Sequence, residues 1–133
     1  MTGFDGFHET RTIRLGDAPT EAALNNIRDT DPDDEETIQA GAQMLRDAFD
    51  EDAVVELSPL TWGDRNRIQD EGLGRAARET FALAAGLERA PFLEDTDPDD
   101  MDAVVGVLTE APPQVADWLL AEFAIANEQG NGD

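Results

Sequence analysis

The chain has 133 residues, 40% of them hydrophobic, and it carries 31 acidic residues against nine arginines, with no lysine and no cysteine. This length supports a single domain with a modest core. The lack of cysteine excludes disulfides, thiolate chemistry and sulfur-ligated metals, and a formal charge of −22 repels the phosphates of nucleic acids. Abundant acid without lysine is typical of a protein from a high-salt cytoplasm, where salt screens self-repulsion. An ordinary acidic, solvated surface is the alternative.

The N-terminal residues MTGFDGFHET lack the basic and apolar regions of a secretory signal, and no apolar run reaches membrane-spanning length. We therefore predict a soluble, intracellular protein that binds neither membranes nor nucleic acid. Residues 1–8 are predicted to form a flexible arm, residues 9–127 a single helical domain, and residues 128–133 a disordered tail.

The first half of the chain alternates between strand and helix signals. A β-branched, alternating run predicts a strand over Thr10–Leu15, and AVVEL predicts a second strand over Ala53–Leu57 that pairs with it. A helix is expected over residues 19–28, with Leu24 and Ile27 as its apolar contacts. Helical spacing predicts a further helix over residues 33–49. The residues on its apolar face are Ile38, Gly41, Ala42, Leu45 and Phe49.

The second half reads as helices throughout. A short helix is predicted to begin at the N-cap Thr61, to carry Trp62 and Ile68, and to end at the glycines near residue 72. Helices follow over residues 74–88, from Met101 to the EAPP sequence, and over residues 113–127. The fold class is therefore mainly α, a small single-domain fold of about five to six helices with at most one short β pair. The apolar positions of these three helices are Ala77, Phe81, Ala84 and Leu87; Met101, Val104, Val105 and Leu108; and Val115, Trp118, Leu119, Phe123 and Ala126.

The hexapeptide DTDPDD occurs twice, at Asp29–Asp34 and at Asp95–Asp100. Its alternating aspartates have the spacing of the first ligands of a calcium loop. The glycine that such a loop needs at its sixth position is an aspartate in both copies, and the glutamate of its twelfth position is replaced by Ala40 and Gly106. We therefore predict no metal site.

The same hexapeptide has the composition of a helix start. Asp31 and Asp97 are predicted to be N-caps, with Pro32 and Pro98 at the first helical position, where a missing N–H costs nothing. The acids that follow would lie at the positive end of the helix dipole.

The catalytic inventory is poor. The chain has one serine, Ser58, one histidine, His8, and no cysteine, lysine or tyrosine, and the GLGRAA segment lacks the pattern of a phosphate-binding loop. With 31 acids, a pair of neighbouring carboxylates carries no information about acid–base chemistry. We therefore predict a protein that is not an enzyme, with no catalytic residue and no cofactor.

One segment, Trp62–Ala90, is electrically balanced. It holds five acids and five arginines, whereas the rest of the chain holds 26 acids and four arginines. A protein-contacting surface requires such a stretch, and tryptophan and arginine are enriched at interfaces. Alternatively, these arginines pair with acids of neighbouring helices. The predicted partner-binding residues are Leu60, Trp62, Arg65, Arg67, Arg75 and Arg78.

The segment VVELSPLTWGDRNRI, Val54–Ile68, resembles a signature of the tail assembly chaperones of tailed viruses. In that family a short strand leads through P-L-T-W-x-D into a helix, and the likeness extends more loosely to about Ala126. The resemblance implies a non-enzymatic function in the host cytoplasm, with the tape measure protein and the tail tube protein as partners, and it leaves a homo-oligomer open. The matching residues are Leu57, Pro59, Leu60, Thr61, Trp62 and Asp64.

Two other functions fit the same composition. A structural connector at the head–tail joint of a virion is also small and helical. An acidic DNA mimic would use carboxylates in place of phosphates to block a nuclease or a repressor. The balanced segment and the missing lysine favour a salt-adapted protein over a mimic.

Overall fold

A computed structural model describes residues 10–60, 63, 66, 68–69, 74–97 and 100–130. The predicted arm, Thr61 and Trp62 at the start of the predicted short helix, and residues 131–133 lie outside this range, whereas Ile68 is helical and buried. The mainly helical class is confirmed. Five α-helices and three β-strands account for most of the described chain: α1 Glu21–Thr30, α2 Glu35–Ala48, α3 Arg75–Gly86, α4 Met101–Thr109 and α5 Pro113–Gly130; β1 Arg11–Arg14, β2 Val54–Leu57 and β3 Leu87–Arg89.

The predicted β pair forms as expected. β1 and β2 are antiparallel, with Arg11 opposite Leu57 and Arg14 opposite Val54. Alternation places Ile13 of β1 and the buried residues of β2 on the core side. This pattern identified both strands from the sequence.

The limit of one β pair was wrong, because β3 adds a third antiparallel strand beside β2. The helix predicted to reach residue 88 ends at Gly86, whose carbonyl accepts from the backbone N–H of Ser58 at 2.7 Å. Leu87 has the helical spacing of the preceding apolar residues, yet it lies opposite Leu57 in the sheet. A strand of three residues is too short for an alternating pattern to reveal it.

The helix starts at the two hexapeptides differ from the prediction. In the first copy Asp31 makes no side-chain capping bond, and a 3-10 turn over Pro32–Asp34 precedes α2. In the second copy the N-cap is Asp100 rather than Asp97, and its carboxylate accepts from the N–H of Ala103 at 3.3 Å. Each hexapeptide therefore precedes a helix. In the first copy Asp31 and Pro32 hold the predicted cap and first-turn positions, but of the 3-10 turn and without the capping bond. In the second copy the cap lies three residues later than predicted, because a run of aspartates offers several equivalent caps, and Pro98 lies outside the described residues.

The C-terminal helix α5 lies at the centre of the fold and contacts α1, α2, α3 and β2. All five residues predicted for its apolar face are buried, and Trp118 and Leu119 are fully enclosed. On α2 the predicted face is buried from Ile38 to Leu45, but Phe49 was wrongly placed in the core. It is the C-cap, has an extended backbone and keeps 37% of its surface exposed.

Close packing of α2 on α5 depends on Gly41. A Cβ at this position would collide with the backbone carbonyl of Gln114 and would lie 2.9 Å from the backbone N of Val115. The missing side chain therefore lets α2 approach the first turn of α5.

A buried carboxylate connects the sheet to two helices. Glu122 of α5 has no exposed surface, and its Oε2 accepts from the N–H of Thr20 at 2.9 Å and from Nε1 of Trp118 at 3.0 Å. Its Oε1 accepts from the hydroxyl of Thr20 at 2.6 Å and from Nη2 of Arg11 at 3.2 Å. The Thr20 hydroxyl in turn accepts from the N–H of Ala23 as the N-cap of α1. One carboxylate thus holds β1, the start of α1 and α5 together.

Gly41→Ala should destabilise the fold by about 1–3 kcal/mol, because overpacking outweighs the gain in helix propensity. Gly106→Ala is the matched control, since a Cβ there meets no atom within 4 Å. This second change should stabilise the helix by up to about 1 kcal/mol. Urea unfolding of both variants measures the difference, and equal effects would contradict the close approach at Gly41.

Glu122→Ala should cost about 3–5 kcal/mol of unfolding free energy, because it leaves the partly buried Arg11 guanidinium without its counter-charge and removes the acceptor of Trp118 and Thr20. The control is Arg14→Ala, which removes exposed ion pairs to Asp17 and Asp52 and should cost less than about 1 kcal/mol. Denaturant unfolding checks both, and a Glu122→Ala variant as stable as the control would refute the importance of this network.

Candidate protein-binding groove

The predicted partner-binding residues are only partly described. Trp62, Arg65 and Arg67 lie outside the described residues, and Arg75 begins α3. Arg78 is exposed on α3. Leu60 is half-buried against the core, and its N–H donates to Oδ1 of Asn127 at 2.9 Å. Leu60 thus contributes to the core as well as to any surface near it.

The alternative explanation of the arginines applies to Arg89, one of the described members of the balanced segment. Nη1 of Arg89 lies 3.5 Å from Oε2 of Glu56 on the neighbouring strand. Elsewhere Arg28 pairs with Glu35, and Arg46 donates to the carbonyl of Ala18. Several of the described arginines therefore bind groups of the protein itself.

A different surface has the features of a binding site. It is an apolar groove of about 300 Å³ between the C-terminal half of α2, the 3-10 turn at Pro91–Leu93, the end of α4 and the start of α5. We call this surface the α2–α4 groove. The residues that line it are Met44, Leu45, Ala48, Phe49, Phe92, Val107, Glu110, Ala111, Pro112 and Val115.

Local sequence explains why these side chains remain open to solvent. Leu45 belongs to the buried face of α2, and Met44 extends that face sideways, where 40% of its surface is exposed. Phe49 turns out of the helix at the C-cap, and Phe92 is presented by the short 3-10 turn. Pro112 directly precedes α5 and also lines the groove. Three large apolar side chains, two from the end of α2 and one from the 3-10 turn, therefore meet at one surface.

The groove is apolar with one acidic edge. Among the described residues that line it, Glu110 is the only ionisable one, and it is exposed. The exposed acids Asp47 and Asp50 flank the lining residues Ala48 and Phe49 in sequence. The nearest arginine along the chain, Arg46, donates to Leu15 and Ala18 carbonyls. The groove thus combines apolar walls with negative surroundings.

Sequence patterns did not predict this groove. Met44 and Phe49 lie on or beside the predicted core face of α2, so their periodicity indicates burial. Phe92 lies between two predicted helices, in a segment for which the sequence predicts no regular element. The available signal was an apolar arc on α2 wider than one core face needs, together with a bulky aromatic in the turn after β3.

A second, smaller groove of about 250 Å³ lies between α3, α4 and α5 and includes Asp117. Burial raises the pKa of Asp117 above the ordinary aspartate value of 3.8, and the nearby carboxylates of Asp34 and Glu79 raise it further. Burial and repulsion by neighbouring carboxylates therefore both disfavour the charged form of Asp117 in the folded protein.

Comparisons with protein-family models, curated proteins and solved structures gave no match for this chain.

Within the described ranges, no three histidine or acidic residues are grouped so that they could hold a metal ion. None of the helices described above has both the length and the apolar content needed to cross a membrane. Ser58 Oγ lies 3.1 Å from Oγ1 of Thr10, and His8 is outside the described range.

Asp117→Asn should stabilise the protein at pH 7, by less than about 1 kcal/mol because the site is partly solvated. The folded state binds this proton more tightly than the unfolded state. Its stabilising contribution is therefore present below the unfolded pKa and is lost as pH rises through the raised folded pKa. Thermal unfolding between pH 3 and 7 should show a gain that vanishes near the acid end. Asp29→Asn, at an exposed position on α1, is the control for a simple change of net charge.

Proposed function

We propose that this chain is a non-enzymatic tail assembly chaperone of a tailed virus with a salt-adapted host, and that it binds the tape measure protein. Two features support the proposal. The Val54–Ile68 segment resembles the family signature, and the chain is small, helical and acidic. Recruitment of tail tube subunits by the bound chaperone is part of the same proposal.

The observation that carries the proposal is the exposed α2–α4 groove on a protein of net charge −22. Exposed apolar surface in a soluble protein commonly marks a binding site. A groove between helices is the usual receptor for the apolar face of a helical segment. A long helical partner such as a tape measure protein offers such faces repeatedly.

The acidic surface suits this function. A chaperone must keep an aggregation-prone partner dispersed until assembly, and a large net charge keeps protein complexes soluble. In the proposed mechanism the α2–α4 groove binds the apolar face of the partner, while the carboxylates on the remaining surface stay hydrated.

Pull-down of a co-expressed tape measure protein, taken from the genomic neighbourhood of this chain, tests the proposal. The wild-type chain should capture it, and Met44→Glu should reduce capture by about tenfold, because a charge in an apolar site costs about 1.4 kcal/mol or more. Gln39→Glu adds the same charge at an exposed position elsewhere on α2 and should leave capture unchanged.

A second set of variants separates the groove from the surface predicted by the sequence. Reversal of charge at Arg65, Arg67, Arg75 and Arg78 should leave capture largely intact. If these changes abolish capture while Met44→Glu does not, the partner binds the balanced segment instead. Failure of the wild-type chain to capture the tape measure protein would refute the chaperone function itself.

A further inference from the structure

We infer that the α2–α4 groove selects a short amphipathic helix whose apolar side chains are flanked by lysine or arginine. This inference rests on the proposed function only in that a protein segment occupies the groove. It specifies the chemistry of that segment, which neither the resemblance nor the composition provides.

The size of the groove limits what it can hold. Its volume of about 300 Å³ lies at the lower end for ligand pockets. That space holds a few large side chains and not the broad face of a folded domain. Apolar side chains at i, i+3, i+4 and i+7 of one helix are neighbours on one face and would match it.

Charge selects among such segments. Among the described residues, the lining contains one acid, Glu110, and no base, while Asp47 lies in the last turn of α2 and Asp50 two residues beyond its end. A helix with acidic flanks would place like charges beside these carboxylates, whereas lysine or arginine flanks would be attracted. The apolar positions would supply the affinity, and the basic flanks would select the partner.

The same argument disfavours two occupants from the protein itself. A second copy of the chain also has a net charge of −22, so the acidic edge of the groove would repel it overall. The N-terminal segment carries Phe4 and Phe7, but they are accompanied by Asp5 and Glu9 and by no arginine or lysine. A basic segment of a different protein is the better electrostatic match.

Fluorescence anisotropy with three labelled peptides tests the inference. Each peptide has about 18 residues, so that helix formation on binding is accessible. The first has leucines at i, i+3, i+4 and i+7 with lysine flanks. The second replaces the lysines with glutamates, and the third keeps the lysines but replaces the leucines with serines. Only the first should bind the full-length chain with measurable affinity in moderate salt.

Variants of the chain locate the binding site. Met44→Glu should weaken binding of the first peptide by about tenfold or more. Glu110→Gln should weaken it by about two- to fivefold in low salt, with the loss disappearing at high salt. Asp29→Asn makes the same change of net charge far from the groove in sequence and should have little effect. Unfolding midpoints of all variants show whether each is folded.

Carbodiimide cross-linking gives a second, independent measurement. This reagent joins carboxylates to amines, and the chain contains no lysine. Every link to a lysine side chain must therefore join the chain to the peptide. Mass spectrometry should find the links at Glu110, Asp47 or Asp50, and links spread over all exposed acids would contradict the site.

The remaining outcomes overturn the inference in distinct ways. Equal binding of the acidic and basic leucine peptides would refute the selection by charge, and strong binding of the serine peptide would refute the groove as the site. Increased affinity in a Phe4→Ser/Phe7→Ser variant would identify the N-terminal segment as the occupant. A dimer dissociated by Met44→Glu would identify a second copy. If no peptide binds but the tape measure protein is still captured, only this inference fails.

Discussion

The buried carboxylate of Glu122 is the constraint on which the arrangement of sheet and helices depends. A fully buried charge is tolerated only when it is paired and hydrogen-bonded, and this one accepts from Arg11, Thr20 and Trp118. These donors come from β1, the residue that caps α1, and α5. Nη2 of Arg11 donates to both Glu122 and Thr20, whereas its buried Nε finds no acceptor among the described residues. The network therefore specifies one relative placement of three elements, and α5 in that placement provides Val115 to the floor of the groove.

Charge is divided unequally between the inside and the outside of the fold. Of the residues that the structure describes, Glu122 is the single buried polar or charged residue, while other acids occupy turns, helix starts and exposed helix faces. Much of the arginine is used internally: Arg11 balances Glu122, Arg46 donates to carbonyls before α1, and Arg89 joins two strands. These arginines therefore stabilise contacts between elements of the fold. A basic partner would therefore supply the positive charge that the acidic surface of the chain lacks.

The parts of the fold that follow from local pattern were predictable. Alternation in TRTIRL and AVVEL identified β1 and β2, and helical spacing identified α2 and α5, because each buries one regular face. β3 was missed because Leu87 fits the helical stripe of α3, and its pairing with Leu57 depends on a residue 30 positions earlier. Glu122 was missed for a related reason: within α5 it is an ordinary polar position, and its burial depends on donors distant in sequence, with Arg11 111 positions and Thr20 102 positions away. The groove needs four segments to meet, and no single segment of the sequence contains that information.

Salt concentration affects the exposed apolar side chains and the acidic surface of this protein in different ways. Raising salt screens the repulsion among carboxylates such as Asp34 and Asp117, and at about 1 M the Debye length falls to about 3 Å. The fold should then tolerate its charge, and the attraction between Glu110 and a basic flank is confined to direct contact. Salts that are excluded from protein surfaces strengthen apolar burial at the same time, so the contacts of Met44 and Phe49 would contribute more to binding. In a high-salt cytoplasm the apolar contacts would therefore set the affinity of the groove, and both the attraction of basic flanks and the repulsion of acidic ones would act only at direct contact.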